Sequence, residues 1–260
     1  MNKMLDCSGK VVVVTGGAGR IGKHLAQAFA LAGAEVVVAD IDEKAAAAVS
    51  DLLQQQGHRA MSLLLDIADE SSIVQCIALL KARFQAIDVW VNNAYPRTAD
   101  WGVKLEDIPA ESWRKNVDMH LIGYCLCCQK VAEHMKVLGT GSIINISSIY
   151  GIIAPDFSVY EGTAMTSAAP YAAIKGGIVQ FTRYLASYYG PSGVRVNSVS
   201  PGGVFDNQPG SFVKAYISKT PLRRMATVGD VAGAVLFLGS EASAYITGHN
   251  LVVDGGYSIQ

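Results

Sequence analysis

The chain has 260 residues, with 21 basic and 22 acidic side chains and a formal net charge of −1. This balance argues against a protein that binds nucleic acid or a membrane surface through bulk electrostatics. The densest later apolar run, LIGYCLCC at 121–128, is far too short to span a bilayer. The N-terminus, MNKMLDCSGKVVVV, has no long apolar stretch ahead of a cleavage site, so we expect a cytoplasmic protein.

Short β-rich runs alternate with longer helical patterns along the whole chain. Seven runs are predicted to form strands: VVVV at 11, EVVVA at 35, AMSLLL at 60, IDVWV at 87, SIINI at 142, VRVNSV at 194 and NLVV at 250. Several are apolar throughout, as expected of strands covered on both faces. We therefore predict an α/β fold, a single Rossmann-like domain over 1–260 with a doubly wound parallel sheet and helices on both faces.

The first predicted strand runs directly into a glycine-rich turn, TGGAGRIG at 15–22, and then into a helical pattern. Such a turn lets the backbone approach a pyrophosphate at a helix N-terminus. Asp40 ends the second predicted strand, where a carboxylate can accept hydrogen bonds from both ribose hydroxyls of NAD and would repel the extra phosphate of NADP. NAD is thus the predicted cofactor. Two alternatives stay open: Asp40 could cap a helix starting near Asp42, and Arg20 could hold a phosphate.

Cysteine and histidine spacing gives no sign of a metal site. Five cysteines are an odd number, which suits a reducing compartment better than a disulfide framework. Cys125 and Cys128 form a C-x-x-C pair, but no second pair follows at metal-ligand spacing, so buried thiols are favoured over zinc. The five histidines are scattered without an H-x-x-x-H pair, and among them we single out His120.

One tyrosine of the stretch 147–175 is a candidate acid/base. Tyr171 has a lysine, Lys175, four residues on, whereas Tyr150 and Tyr160 have alanines there. In a helix beginning at Pro170, Tyr171 and Lys175 lie on one face a turn apart. A neighbouring ammonium favours the phenolate, so we expect Lys175 to lower the pKa of Tyr171 from about 10 towards neutrality.

Further motifs accompany this pair in a definite order. They are T-G-x-x-x-x-x-G at the first turn, NNA at 92–94, Asn116 in a helical pattern, ISS at 146–148, Y-x-x-x-K at 171–175, SPGG at 200–203 and DGG at 254–256. In this order and at these strand positions they resemble the short-chain dehydrogenase/reductases, over essentially the whole chain. The resemblance implies hydride transfer between a nicotinamide and a secondary alcohol or ketone, in a homotetramer.

The resemblance also implies roles for individual residues. The implied catalytic tetrad is Asn116, Ser148, Tyr171 and Lys175. The implied cofactor-binding residues are Gly16, Gly19, Arg20, Ile21, Gly22, Asp40, Asp66, Ile67, Asn93, Ala94, Tyr171, Lys175, Pro201, Gly202 and Val204. The expected substrate contacts are Tyr95, Arg97, Tyr160, Thr163 and Gly203, with 204–226 as a lid region.

Four features depart from the family pattern. Arg20 replaces the middle glycine of the first turn, Tyr95 replaces the glycine after NNA, and Asp206 stands where a threonine commonly touches the carboxamide. The fourth is the spacing of Ser148 and Tyr171, which is about ten residues longer than usual, so we interpret 151–170 as an inserted substrate-recognition loop.

Within the family, the segments VNNAYPR, SSIYG, YEGTAMT and SPGGVFDNQP are most similar to dehydrogenases of bacterial flagellin-modification and nonulosonic-acid (legionaminic-type) sugar clusters. This similarity implies a sugar or nucleotide-activated sugar as substrate. Two other functions stay open. An NADPH-dependent reductase of carrier-bound or small ketones is opposed by Asp40, and a non-catalytic dinucleotide-sensing module is opposed by the tetrad.

Overall fold

The computed structural model of the protein describes residues 3–260. Strands β1 to β7 are Val11–Thr15, Glu35–Asp40, Ala60–Leu64, Val89–Asn92, Gly141–Ile146, Val194–Pro201 and Asn250–Val253. They form one parallel sheet in the order β3-β2-β1-β4-β5-β6-β7. Each strand coincides with one of the seven predicted runs, and the predicted fold class is confirmed.

Helices lie on both sides of this sheet. Helices α1 to α8 are Arg20–Leu31, Glu43–Gln55, Glu70–Arg83, Ala110–Asn116, Gly123–Leu138, Ala169–Tyr189, Gly210–Ser218 and Val228–Gly239. A π-helical turn, Val117–Ile122, joins α4 to α5 without a break. Among residues 3–260, none of the helices has both the length and the apolar character that a membrane span requires.

Alternate side chains of the strands enter two separate cores. Val11 and Val13 of β1 pack in the core that includes residues of α3, α5 and α6, whereas Val12 and Val14 pack in the core that includes residues of α1, α2 and α8. Burial on both faces explains why the strands are apolar throughout. A fully buried valine contributes roughly 1.5–3 kcal/mol relative to an exposed one.

The strand order reverses between β1 and β4, which opens a crevice beyond their carboxyl ends. The turn after β1 and the residues after β4 meet there at close range. Gly16 has φ +60°, and a Cβ at this position would lie 2.6 Å from the Cα of Ala94. Only glycine fits, because the backbone is left-handed and no side chain has room.

A third, smaller core joins the segment after β5 to the segment after β6. Its buried members are Ile149, Val159, Phe212, Tyr216, Met225 and Tyr257. Asp156 and Lys219 form an ion pair between the same two segments. The stretches 151–170 and 204–226 therefore pack against each other beyond the carboxyl edge of the sheet.

Candidate active site

The glycine-rich turn leads into a helix end that is open to a ligand. A Cβ at Gly22 would lie 2.0 Å from the carbonyl oxygen of Gly16, so the turn tolerates no side chain there. Gly19 is the N-cap of α1 and no side chain caps the helix. In the part of the chain that the structure describes, the N–H groups of Arg20, Ile21 and Gly22 thus have no side-chain partner. An uncapped helix N-terminus favours an anion, and a dinucleotide pyrophosphate fits here.

Asp40 ends β2 beside the same turn. Its Oδ2 accepts a hydrogen bond from the Ala18 N–H at 3.0 Å, and its Oδ1 accepts one from the Asp42 N–H at 3.1 Å. The cap of α2 is Asp42, whose side chain accepts the Ala45 N–H at 3.0 Å. The alternative role of Asp40 as the helix cap is therefore wrong. Its carboxylate is held against the glycine-rich turn.

Two of the departures from the family pattern form an ion pair with each other. The Arg20 guanidinium, at the start of α1, lies 3.2 Å from the Asp206 carboxylate in the segment after β6. Both side chains are largely solvated, so the pair contributes less than about 1 kcal/mol.

The end of β4 is fastened to the turn after β1. Asn93 donates from Nδ2 to the carbonyl oxygens of Thr15 and Gly16 at 3.0 and 3.1 Å, and the Ala94 N–H donates to Thr15 Oγ1 at 3.1 Å. The other predicted cofactor residues lie at or after the ends of β3 and β6: Asp66, Ile67, Pro201, Gly202 and Val204. All of them occupy the edge of the sheet where the crevice opens.

Gly203, expected to contact the substrate, is bonded to the segment that follows it. Its N–H donates to the Tyr216 hydroxyl at 2.6 Å. A Cβ at Gly203 would lie 2.9 Å from the Tyr216 ring and from the Met225 side chain. This bond anchors the 204–226 segment at the end of β6, and the expected substrate contact of Gly203 stays a prediction.

Ser148, Tyr171 and Lys175 are brought together around the first turns of α6. The Ser148 side chain faces the Tyr171 phenol and lowers its pKa, and the Lys175 Nζ lies 5.5 Å from the centre of the Tyr171 ring. Lys175 also donates to the carbonyl oxygen of Ile146 at 2.8 Å. Ser147 instead donates to the Lys175 carbonyl oxygen at 2.9 Å, so the serine that faces the tyrosine is Ser148.

Burial acts against the expected activation of the tyrosine. It raises the pKa of Tyr171 well above 10, while the hydrogen bond from Ser148 acts in the opposite direction. It also lowers the pKa of Lys175 to about 7. Burial outweighs the lowering of the Tyr171 pKa that we expected from Lys175, because loss of water disfavours both charged forms. Tyr171 is therefore a protonated phenol at neutral pH.

Asn116 does not join this cluster. Its Oδ1 accepts the Thr98 N–H at 3.0 Å, and its Nδ2 donates to Thr98 Oγ1 at 2.7 Å and to the Ser112 carbonyl oxygen at 2.9 Å. The Asn116 amide connects the loop after β4 to α4. The Asn116 side chain makes no hydrogen bond to Lys175 among residues 3–260, and its implied catalytic role stays a prediction.

His120 is the residue of this helical stretch that contacts Lys175. Its Nε2 lies 3.2 Å from the Lys175 Nζ, and its side chain is completely buried. It belongs to the π-helical turn Val117–Ile122, a geometry that often occurs at functional sites. The signal in the sequence is a lone histidine within the apolar stretch MHLIGY.

Aromatic rings form one wall of the site. Tyr95 and Trp101 both meet the Tyr171 ring edge-on, with centroids 5.8 and 6.1 Å away. The Arg97 guanidinium lies over the Tyr95 ring, 5.2 Å from its centroid, and makes no salt bridge with any residue in the range 3–260. Trp101 was not predicted. The only clue to it is its place in the loop that follows β4.

The inserted segment offers fewer free polar groups than expected. The Thr163 hydroxyl donates to the Tyr160 carbonyl oxygen at 2.7 Å and accepts the Met165 N–H at 3.1 Å. The Thr163 hydroxyl is thus used within a turn, and its expected substrate contact stays a prediction. The Tyr160 and Tyr150 hydroxyls lie 3.0 Å apart and share a hydrogen bond.

A doubly wound parallel sheet, a glycine-rich turn at an uncapped helix end and a Ser-Tyr-Lys cluster at a neighbouring strand end define a nicotinamide-dependent oxidoreductase. Comparison with known families agrees. A sequence model described as enoyl-(acyl carrier protein) reductase matches residues 16–258. The chain belongs to the short-chain dehydrogenase/reductase family.

Individual relatives match the chain over nearly its full length. It is 33% identical over 252 residues to the "Post-translational flagellin modification protein A" of Campylobacter coli, covering 96% of this chain and 98% of the relative. A gluconate 5-dehydrogenase from Burkholderia cenocepacia, in complex with NADP and tartrate, has a TM-score of 0.90 at 29% identity, covering 99% and 98% of the two chains. A short-chain dehydrogenase from Leptospira borgpetersenii with bound NAD+ has a TM-score of 0.85 at 34% identity, covering 99% and 96%.

These matches show an NAD(P)-dependent dehydrogenase/reductase that acts on CH–OH groups of small molecules. The predicted enzyme class is confirmed, and the predicted relation to flagellin-modification proteins is supported. The solved relatives include one complex with NADP and one with NAD, so the family membership leaves the choice of nucleotide to the residues of this chain.

Proposed function

We propose that the protein is an NAD(H)-dependent dehydrogenase of an anionic, hydroxyl-rich sugar or its nucleotide-activated form, acting in nonulosonic-acid (legionaminic-type) or flagellin-glycan biosynthesis. The observation that carries the substrate class is the Arg97 guanidinium, which lies over a ring of the wall beside Tyr171 and has no carboxylate partner in residues 3–260. A planar guanidinium can bind a carboxylate or phosphate through two parallel hydrogen bonds.

In the proposed reaction Tyr171 is the acid/base. Because burial keeps its phenol protonated, Tyr171 can donate a proton to a ketone oxygen as hydride reaches the carbon. In the reverse direction its phenolate must be stabilised. The Lys175 ammonium would provide that stabilisation, and the Ser148 hydroxyl would hold the substrate oxygen.

The residues of the crevice fit a nicotinamide dinucleotide, which when bound would accept or supply the hydride. Gly16 and Gly22 leave the space that side chains would fill, and the uncapped start of α1 suits a pyrophosphate. Asp40 would accept the ribose hydroxyls, and its charge would disfavour the phosphate of NADP. The ion pair of Arg20 with Asp206 supports this preference, since the guanidinium that could bind the extra phosphate already contacts a carboxylate.

We also infer that 151–170 is a substrate loop and 204–226 is a lid. The ion pair of Asp156 with Lys219 and the contact of the Tyr160 and Phe212 rings, with centroids 5.3 Å apart, support packing of the two segments as one unit.

A homotetramer is proposed on the exposed face of α6. Phe181, Tyr184 and Tyr188 form a ladder of near-parallel rings with centroids 6.3 and 6.2 Å apart. Tyr184 and Tyr188 are 60% and 59% exposed, and such aromatic patches are typical of protein interfaces. Light scattering after size-exclusion chromatography tests this, and a monomer mass would contradict it.

A second candidate, an NADPH-dependent reductase of carrier-bound or small ketones, is favoured by the description of the matching family model. A turnover screen with both nucleotides separates the two. The panel contains nucleotide-activated acidic sugars, neutral polyols, aliphatic ketones and carrier-bound ketones. We expect turnover of acidic sugars with NAD(H). Preferred turnover of carrier-bound ketones with NADPH would overturn the proposal, and dinucleotide binding without any turnover would favour a sensing module.

A further inference from the structure

The contact between His120 and Lys175 joins two ionisable groups in a closed environment. His120 is 0% exposed and Lys175 is 3% exposed, and His120 Nε2 lies 3.2 Å from Lys175 Nζ. The other recorded bond of the Lys175 side chain goes to the Ile146 carbonyl oxygen. Apart from that carbonyl, the imidazole is the only hydrogen-bonding partner of the ammonium in residues 3–260.

The hydrogen-bond donors of Lys175 determine which ring nitrogen of His120 carries a proton. A lysine ammonium has three donors and no acceptor, so a charged Lys175 requires Nε2 of His120 to be an unprotonated acceptor. The imidazole proton then lies on Nδ1, which is buried and bonded to no atom of residues 3–260. His120 is therefore neutral whenever Lys175 carries its charge.

The groups that face the pair do not compete for this role. They are the rings of Tyr95 from the loop after β4, Tyr124 from α5 and Tyr171 from α6. The Tyr124 hydroxyl is committed to the Ala94 carbonyl oxygen at 3.0 Å. Burial lowers the pKa of His120 well below 6.5, and the charge of Lys175 lowers it further. No carboxylate contributes to the pKa of either partner.

We propose that His120 is a positioning residue of the reaction, which as a neutral imidazole accepts the hydrogen bond that keeps the Lys175 ammonium charged and directed beside Tyr171. The inference rests on the proposed role of Lys175. Without the acceptor, the buried ammonium loses a hydrogen bond and its charged form becomes less favourable. Stabilisation of the Tyr171 phenolate then falls, and the pKa of Tyr171 rises.

Three variants of the full-length protein test the acceptor role: His120→Leu, His120→Gln and the control His134→Leu. His134 lies on α5 and likewise has an unbonded ring nitrogen, but it is outside the site. In alcohol oxidation we expect His120→Leu to lower kcat roughly tenfold or more with KM little changed, and to shift the acidic limb of the kcat profile upwards by about one pH unit. The amide oxygen of His120→Gln can accept a hydrogen bond, so this variant should restore most of kcat and of the position of the acidic limb. His134→Leu should match the wild type in both quantities.

Wild-type kinetics of His120→Leu, or a Gln variant as impaired as the Leu variant, would overturn the proposal. If His120→Leu does not fold, ¹⁵N NMR of histidine-labelled wild-type protein near pH 6.5 decides the question. An unprotonated Nε2 on His120 supports the acceptor role, and a protonated Nε2 overturns it. If Tyr171→Phe loses turnover but His120→Leu has the kinetics of the wild type, the proposed function stands and only the role of His120 is refuted.

Discussion

Tyr171 and Lys175 need charged forms for proton transfer, but their burial disfavours both charges. Proton transfer needs a tyrosine whose phenolate is accessible, but enclosure raises the pKa of Tyr171 and lowers that of Lys175 to about 7. Burial strengthens every electrostatic interaction within the site at the same time. A second charge or hydrogen bond near this pair therefore has a large effect on the reaction.

Replacing Tyr171 by phenylalanine removes the acid/base and keeps the ring. We expect kcat to fall by about 10²–10⁴-fold or more, with dinucleotide affinity nearly intact. Tyr160→Phe is the control, because its hydroxyl bonds to Tyr150, and its effect should be milder. Steady-state kinetics and a binding titration measure both. An active Tyr171→Phe together with an inactive Tyr160→Phe would refute the assignment.

Asp40→Ala should narrow the preference for NAD over NADP. The substitution removes the charge that would repel the extra phosphate, and a change of about 1–3 kcal/mol in relative binding is expected. Dissociation constants for NADH and NADPH, measured by fluorescence titration, check it. Tighter binding of NADPH than NADH by the unaltered protein would contradict the prediction and assign the phosphate to Arg20.

Arg97→Ala should lower kcat/KM for acidic sugars by about 1.5–3 kcal/mol, because a charge-assisted contact is lost, and leave cofactor affinity unchanged. Lys104→Ala is the matched control, since Lys104 is an exposed cation in the same loop without a ring contact in residues 3–260. Equal kcat/KM for the wild type and Arg97→Ala would contradict the proposal that the substrate is anionic. A wild-type preference for neutral aliphatic ketones would contradict it as well.

At the scale of elements, the turn between β1 and α1 and the π-helical turn between α4 and α5 set the geometry of the site. In the first, three positions have no room for a Cβ, namely Gly16, Gly17 and Gly22, so the backbone would be accessible to a ligand. The second contains His120, whose Nε2 lies 3.2 Å from the Lys175 Nζ. Sequence spacing predicts the first element but not the second, since periodicity in a helix assumes 3.6 residues per turn.

Gly22→Ala tests the turn. Its Cβ would lie 2.0 Å from the Gly16 carbonyl oxygen, so the backbone must shift, and we expect dinucleotide affinity to fall at least about tenfold. Gly233→Ala in α8 is the control, because a Cβ there meets nothing within 4 Å and should stabilise the helix by roughly 0.5–1 kcal/mol. Isothermal titration and thermal melting report the two effects. Wild-type affinity in Gly22→Ala would show that the turn does not cradle the cofactor.

At the scale of the whole molecule, Lys175 has a cost in stability. Its pKa is about 7 in the folded protein against 10.5 for an ordinary lysine. Between these pH values the unfolded chain binds more protons, so this group makes the free energy of unfolding rise with pH from about 7 towards 10.5. The cost is full below pH 7 and amounts to at most about 5 kcal/mol.

Lys175→Met should therefore raise the free energy of unfolding at pH 6.5 by a few kcal/mol and flatten its dependence on pH, while removing activity. Urea unfolding at pH 6.5 and 9 measures this. A less stable Met variant at pH 6.5 would show that the bonds of Lys175 to Ile146 and His120 outweigh its desolvation.

The sequence alone determined the seven strands and their parallel arrangement, because strands buried on both faces carry their apolar pattern locally. It also determined the glycine-rich turn, Asp40 at the end of β2 and the Tyr171–Lys175 pair. These signals are short-range, each resting on a few neighbouring residues and the period of one element. The start of α6 was predicted at Pro170 and lies at Ala169, an ordinary uncertainty at a helix end.

Only the tertiary structure decided which side chains meet and how burial changes them. It joined Arg20 to Asp206 and placed Trp101 and Tyr95 against Tyr171. It bonded Asn116 to Thr98 and Ser112 and placed the His120 Nε2 3.2 Å from the Lys175 Nζ. The pKa of Tyr171 rises rather than falls because desolvation depends on all surrounding atoms, and no motif of four or five residues contains that information.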